Sequence, residues 1–152
     1  MLYNFKNQSG HLLMNVLVAA GIFVLLATIS IPYIKKYQPN LKLNAAARAL
    51  TSDLRYAQQL TVAEQVAHAV EFDLINDSYN ILKLVPFATS TIKTVIFDSD
   101  LNYSQITGLT DNTAVFNYYG AVSHAGQVVL ININNVTATI NIKPSGYVQL
   151  EN

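Results

Sequence analysis

The sequence predicts an α+β protein in which a long N-terminal helix, partly transmembrane, packs on a β-rich antiparallel head. Three observations carry that expectation. The chain is apolar and free of charge from Leu12 to Ile34, a stripe of apolar residues at helical spacing follows as far as Thr61, and beyond His68 the period shortens to two. A length of 152 residues favours one domain. With 51% hydrophobic and 12% charged residues, the chain is too apolar for disorder and poor in charge for a soluble domain, so part of it is expected to leave water.

The first element is the apolar run LLMNVLVAAGIFVLLATISIPYI, preceded by the polar-leaning MLYNFKNQSG and followed at once by Lys35 and Lys36. At about 1.5 Å of rise per residue it is long enough to cross a hydrocarbon core of roughly 30 Å. A conventional secretory signal has a shorter apolar stretch and small residues at a cut placed after it. Lys6 lies before the run and Lys35 and Lys36 after it, so counting positive charges does not choose a side for the head.

Next comes a stem, either the same helix continued or a second one beginning near Leu41. Leu43, Ala47, Leu50, Leu54, Ala57 and Thr61 form the stripe, while Lys42, Arg48, Asp53 and Arg55 fall off it. The striped face suits packing on the distal sheet or against neighbouring helices. Pro39 has no amide proton and restricts Gln38, which predicts a kink or break between Tyr37 and Asn40.

The head reads as six or seven short strands: AVEFDLI, YNILKLV, TIKTVIF, AVFNYY, QVVLINI, VTATINI and YVQL. Turn-like segments separate them at Asn76 to Ser78, Asp98 to Asn102, Gly120 to Gly126, Asn134-Asn135 and Pro144 to Gly146. The Asn134-Asn135 pair is a hairpin cue, because Asn tolerates the left-handed backbone of tight primed turns.

No motif for catalysis or cofactor binding is found. Without cysteine the chain has no disulfide, no thiolate zinc site and no cysteine nucleophile. His11, His68 and His124 stand far apart, which excludes an HExxH pattern, and each reads as an ordinary surface or helix-end residue. GxSxG, SxxK, GxGxxG and GxxxxGK are all missing. Glu71 and Asp73 would share one face of a strand, but alternation with Val70, Phe72 and Leu74 makes that its solvent side. Asp98 and Asp100 read as turn caps. No metal and no cofactor is expected.

The stretch SGHLLMNVLVAAGIFVLLATISIPYI resembles the N-terminal signal of type IV pilin and type II secretion pseudopilin precursors. Read by that resemblance, residues 1–10 are a leader cut by prepilin peptidase after Gly10, and His11 is the methylated first residue of the mature chain. Residues 11–34 are then the transmembrane helix, 35–66 the amphipathic stem and 67–152 the head, outside the cytoplasm. Pro32 falls where the family commonly places a helix proline. Two positions depart from the pattern: His11 replaces the usual Phe, and Asn15 the usual Glu. That Glu is thought to pair with the terminal amine of a neighbouring subunit; Asn15 accepts a hydrogen bond but cancels no charge. Asn15 thus marks either a specialised subunit or a polar residue tolerated in the helix.

The stretch SDLRYAQQLTVAEQ, followed by a β-rich head ending in PSGYVQL, is similar to general secretion pathway H type pseudopilins and to FimT-like minor pilins. The resemblance implies a structural subunit rather than an enzyme: a minor pseudopilin of a type II secretion pseudopilus that supports protein export. The alternative is a minor type IV pilin in pilus biogenesis or DNA uptake. The implied setting is the bacterial inner membrane. Implied partners are prepilin peptidase, other pseudopilins or pilins, an assembly platform protein, membrane lipid and exported cargo. Nucleic acid is not expected, because the tail KPSGYVQLEN offers phosphate only Lys143 against Glu151.

Overall fold

The computed structural model describes residues 9–86 and 88–151. Residues 1–8 of the expected leader lie outside the described residues. Helix α1, Ser9–Glu64, runs unbroken for 56 residues. The break expected around Pro39 does not occur, and the helix continues through Pro32 as well. Each proline removes one backbone hydrogen bond, to the carbonyl four residues back, while its fixed φ stays helical. Packing nevertheless divides the chain at this point: one compact unit ends at Gln38 and the other begins at Pro39.

Within the second unit the striped face of α1 is the core. Leu43, Ala47, Leu50, Leu54, Ala57 and Thr61 are all buried, with Thr61 satisfied by donating its hydroxyl to the Ala57 carbonyl. Lys42, Arg48 and Arg55 stay off this face, as expected. Asp53 does not: it is 9% exposed, accepting a 2.6 Å bond from the Tyr79 hydroxyl and bonds of 2.8 and 2.7 Å from Lys93. A carboxylate so buried needs such partners. The helix ends where Gln65 turns left-handed, with φ 54°.

Among the described residues eight strands follow, in two four-stranded antiparallel sheets. β1 (His68–Asp73), β2 (Ser78–Val85), β3 (Ala88–Ile96) and β5 (Thr113–Phe116) form the first, in order β3-β2-β1-β5. β4 (Leu101–Thr107), β6 (Gly126–Asn132), β7 (Thr137–Ile142) and β8 (Val148–Glu151) form the second, in order β4-β6-β7-β8. Val70, Phe72, Tyr79 and Ile81 of the first sheet join Val128, Leu130, Ile140 and Ile142 of the second in one apolar cluster with the helix stripe.

β4 has no counterpart among the expected strands, and a bulge explains why. Its pairing with β6 jumps from Tyr103↔Leu130 to Gln105↔Val129, leaving Ser104 out. Leu101, Tyr103 and Ile106 therefore face the core at spacings of two and then three, which breaks the period-two pattern. Two other strands are shorter than expected because side chains bend the backbone. Asp73 accepts the amides of Ile75 and Asn76 and ends β1 before Leu74; Asn117 accepts those of Tyr119 and Ala121 and ends β5 at Phe116.

The Asn134-Asn135 hairpin is present, with Asn135 at φ 60°. Asn132 builds it: its side-chain oxygen accepts the amides of Asn134 and Val136, and its amide donates to Asn40 on the helix at 2.8 Å. Asn132→Ala is expected to cost about 1–3 kcal/mol, because the part-buried turn amides lose their acceptor and the tie to Asn40 is cut. Thermal melting of the detergent-solubilised protein checks this.

Gly146 lies at a second junction. Its φ is +79°, and a Cβ there would collide with the Gly120 carbonyl oxygen, which itself accepts a 2.7 Å bond from the Gln58 amide. Gly146→Ala is therefore expected to destabilise the head by more than the ordinary cost of a left-handed alanine, about 1–2 kcal/mol, and a lower melting temperature checks this.

Candidate functional site

The candidate site has two parts, an apolar helical segment and the surface of the head. In the first, side chains from His11 to Gln38 are exposed all round the helix, including Leu12, Leu17, Phe23, Leu26 and Ile31. This helix is long and apolar enough to cross a membrane. Its hydroxyls suit hydrocarbon: Thr28 donates to the Val24 carbonyl at 2.7 Å and Ser30 to the Leu26 carbonyl at 2.9 Å, so neither asks for water.

Gly10, His11, Asn15 and Pro32 are all helical. His11 and Asn15 are exposed, and the Asn15 side chain has no hydrogen-bond partner among the described residues. These four positions follow one another along a helix and do not converge on a cleft.

In the head, three ion clusters fasten α1 to the strands. Lys42 meets Asp98 at 3.0 Å and Asp100 at 2.7 Å; Asp53 meets Lys93; Glu64 meets Lys83 of β2 at 2.6 Å. Asp98 and Asp100 were expected only to cap their turn, and Asp98 also does that. Sequence reasoning missed all three clusters. The excess of cations as far as Arg55 and of acids beyond it hints at the Lys42 cluster alone; Asp53 with Lys93 and Glu64 with Lys83 put the acid on the helix and the cation on the strand, against that imbalance.

His68 corrects the expectation of a helix-end surface residue. It opens β1 and is completely buried, with Nδ1 2.8 Å from the Val66 carbonyl and Nε2 3.5 Å from Glu64. His124 does lie exposed in its loop. Asp73 serves its own turn, its carboxyl held below the usual range by the side-chain and backbone donors of Asn76 and the amide of Ile75. Among the described residues no group of three or more metal-ligating side chains comes together.

Aromatic side chains divide between core and surface. Phe72, Tyr79, Phe97 and Tyr103 form a chain of tilted and edge-on rings, with centroids 5.2 to 6.0 Å apart. Burial pushes the hydroxyls of Tyr79 and Tyr103 well above the usual phenol range, with Asp53 adding to the effect on Tyr79. Tyr118, Tyr119 and Tyr147 are exposed instead, the last beneath Lys143.

With this geometry in place, comparison with known proteins identifies the fold as pilin-like. The chain aligns with the minor pseudopilin EpsH from the type 2 secretion system of Vibrio cholerae with a TM-score of 0.64 at 10% identity, covering 72% of this chain and 96% of that one. It also aligns with the type IV minor pilin FimU of Pseudomonas aeruginosa with a TM-score of 0.61 at 15% identity, covering 80% and 93%. No protein-family model and no curated protein matches the sequence.

The clusters give the head a defined pH dependence. Lys83 holds the Glu64 carboxyl low, Lys42 holds that of Asp98 low, and Asp100 followed by Asp98 raises the Lys42 ammonium. Lowered carboxyls stabilise the fold above their unfolded values near 4, and that contribution is lost as pH falls through the folded values. The raised ammonium stabilises it below about pH 10, and its contribution is lost as pH rises through the folded value. Melting temperature against pH should therefore show a plateau with an acid and an alkaline shoulder. Lys42→Met should remove the Lys42 part of the alkaline shoulder and leave the Glu64 part of the acid one.

Proposed function

We propose that this chain is a minor pseudopilin, a structural subunit of a type II secretion pseudopilus that supports protein export. The observation that carries the reading is the pairing of a pilin-like fold with an apolar helix exposed on every side. Prepilin peptidase removes the leader after Gly10, and His11 becomes the methylated N-terminus. The helix from His11 to Ile34 holds the subunit in the inner membrane with the head outside the cytoplasm, until an assembly platform protein draws it into a fibre. Helix contacts then replace lipid contacts with little change in apolar burial. Other pseudopilins or pilins and exported cargo meet the head.

A minor type IV pilin is the second reading, supported by the alignment with FimU. The two separate on deletion: loss of protein export marks the pseudopilin, loss of pili or DNA uptake the pilin. Intact mass and N-terminal sequencing of the membrane-extracted protein test what both share. The expected chain starts at His11 with a methyl-sized increment, and only in cells that have prepilin peptidase. A chain that still starts at Met1 would end both readings.

A further inference from the structure

Among the described residues, three turns of the head adjoin at one end, where Asn40 and Lys42 stand on α1. Asn132, at the start of the β6–β7 turn, donates its side-chain amide to Asn40 at 2.8 Å, and the Ile133 backbone amide donates to the Asp100 carbonyl of the β3–β4 turn. Lys42 holds Asp98 and Asp100 of that same turn. The β1–β2 turn joins them through Asp77, whose carbonyl accepts the Phe97 amide and whose carboxylate accepts that of Tyr103 at 3.1 Å.

Turns ordinarily carry Gly, Pro, Asn, Asp or Ser. These also carry exposed aliphatic side chains: Leu74 and Ile75 in the β1–β2 turn, Ile96 where β3 ends, Ile133 and Val136 around the β6–β7 turn, with Leu41 beside Asn40 on the helix. Ile75 is 91% exposed and Ile133 64%. One such residue needs no explanation, but six gathered on adjoining turns mark a contact surface. Charge does not explain it. Lys42 is matched by Asp98 and Asp100, Asp73 and Asp77 are occupied by backbone amides, and Glu71, Asp73 and Asp111 line a hollow with Leu74 and Ile75, so carboxylates outnumber cations here.

The occupant follows from what this end is joined to. Asn40 is six residues from Ile34, the last of the apolar run, a separation of about 9 Å as helix and at most about 20 Å if extended. A headgroup layer about 5–8 Å deep begins where the hydrocarbon ends. We propose that this end of the head rests on the lipid headgroups of the membrane that α1 spans, with Leu41, Ile75 and Ile133 pressed shallowly into them. Anionic lipid attracts basic segments, and this end is acidic, so the headgroups that suit it are zwitterionic and carry an ammonium of their own. The Gly120 loop belongs to another part of the head: Gln58, which bonds its carbonyl, lies eighteen residues beyond Asn40, about 27 Å of helix. This inference rests on the reading of α1 as a membrane anchor and adds a second, separate membrane contact that orients the head before assembly.

The native chain has no tryptophan, so each single substitution reports one place. Full-length Phe23→Trp, Ile133→Trp and Tyr119→Trp chains, all substituted at exposed positions, are reconstituted in phosphatidylcholine vesicles. Ile133→Trp should emit to the blue of Tyr119→Trp and be quenched by a nitroxide carried on the lipid headgroup, while Tyr119→Trp is not quenched. Ile75→Asp added to Ile133→Trp should reverse the blue shift and most of the quenching, with an unchanged melting temperature showing that the head is folded. A water-like, unquenched Ile133→Trp overturns the proposal. So does a blue-shifted but unquenched one, which would put another protein chain over this end, and so does quenching that Ile75→Asp leaves unchanged. Phe23→Trp, read against bromine placed midway along the acyl chains, tests the anchor by itself. If it is quenched while Ile133→Trp is not, the anchor stands and the headgroup contact falls; if it is not quenched, both fall.

Discussion

Both sheets of the head are laid against one face of one helix, and that shared face is the constraint on which the rest depends. Leu43, Leu50 and Leu54 are each buried in it, contributing about 1.5–3 kcal/mol apiece. Apolar contact is not directional, so the register comes from polar ties. Asn40 receives Asn132 near one end of the stripe, Asp53 takes Tyr79 and Lys93 in the middle, and Gln58 reaches the Gly120 carbonyl farther along. Sliding the helix by one turn would leave the buried Asp53 carboxylate without its partners, a larger loss than any single leucine contact.

Periodicity made the helix stripe and most strands legible, because each buries one face only. It failed where the backbone departs from its own repeat. The Ser104 bulge hid β4, and the turns built by Asp73 and Asn117 cut short strands whose apolar residues continue into Leu74, Ile75, Tyr118 and Tyr119. Proline signalled a break that did not form, since a helix long enough to hold its other hydrogen bonds survives the loss of one at Pro39. Asp53 and His68 misled for a different reason. Polar residues suggest surface, and the pattern does not show that Asp53 meets Tyr79 and Lys93 far along the chain or that His68 is buried on the nearby Val66 carbonyl.

The candidate site was legible unevenly. An uninterrupted apolar run declares its own need to leave water, so the exposed segment could be read directly. Gly10, His11, Asn15 and Pro32 drew their expected roles from resemblance, and the geometry adds only that they lie in one continuous helix. Of the ion clusters only that of Lys42 follows the imbalance of charge between the two parts of the chain; those of Asp53 and Glu64 run against it, and imbalance does not say which pairs meet. Lys42 finds both Asp98 and Asp100 because the turn between β3 and β4 is brought to the helix by the two sheets it joins.

One helix serves two different surroundings, and its sequence changes character where the surroundings change. From His11 to Gln38 its side chains are exposed on every face and mostly apolar; from Pro39 a single face is buried. The first part cannot remain in water, since an apolar surface of that extent exceeds what a soluble protein carries. Lipid tails and the flanks of other helices cover it about equally well, because both are apolar and neither offers a hydrogen bond. The second part has no such freedom, being committed to its own sheets by leucines and buried polar ties. The exchange of covering that the proposed function requires would therefore be confined to the first part, and the head could keep its structure throughout.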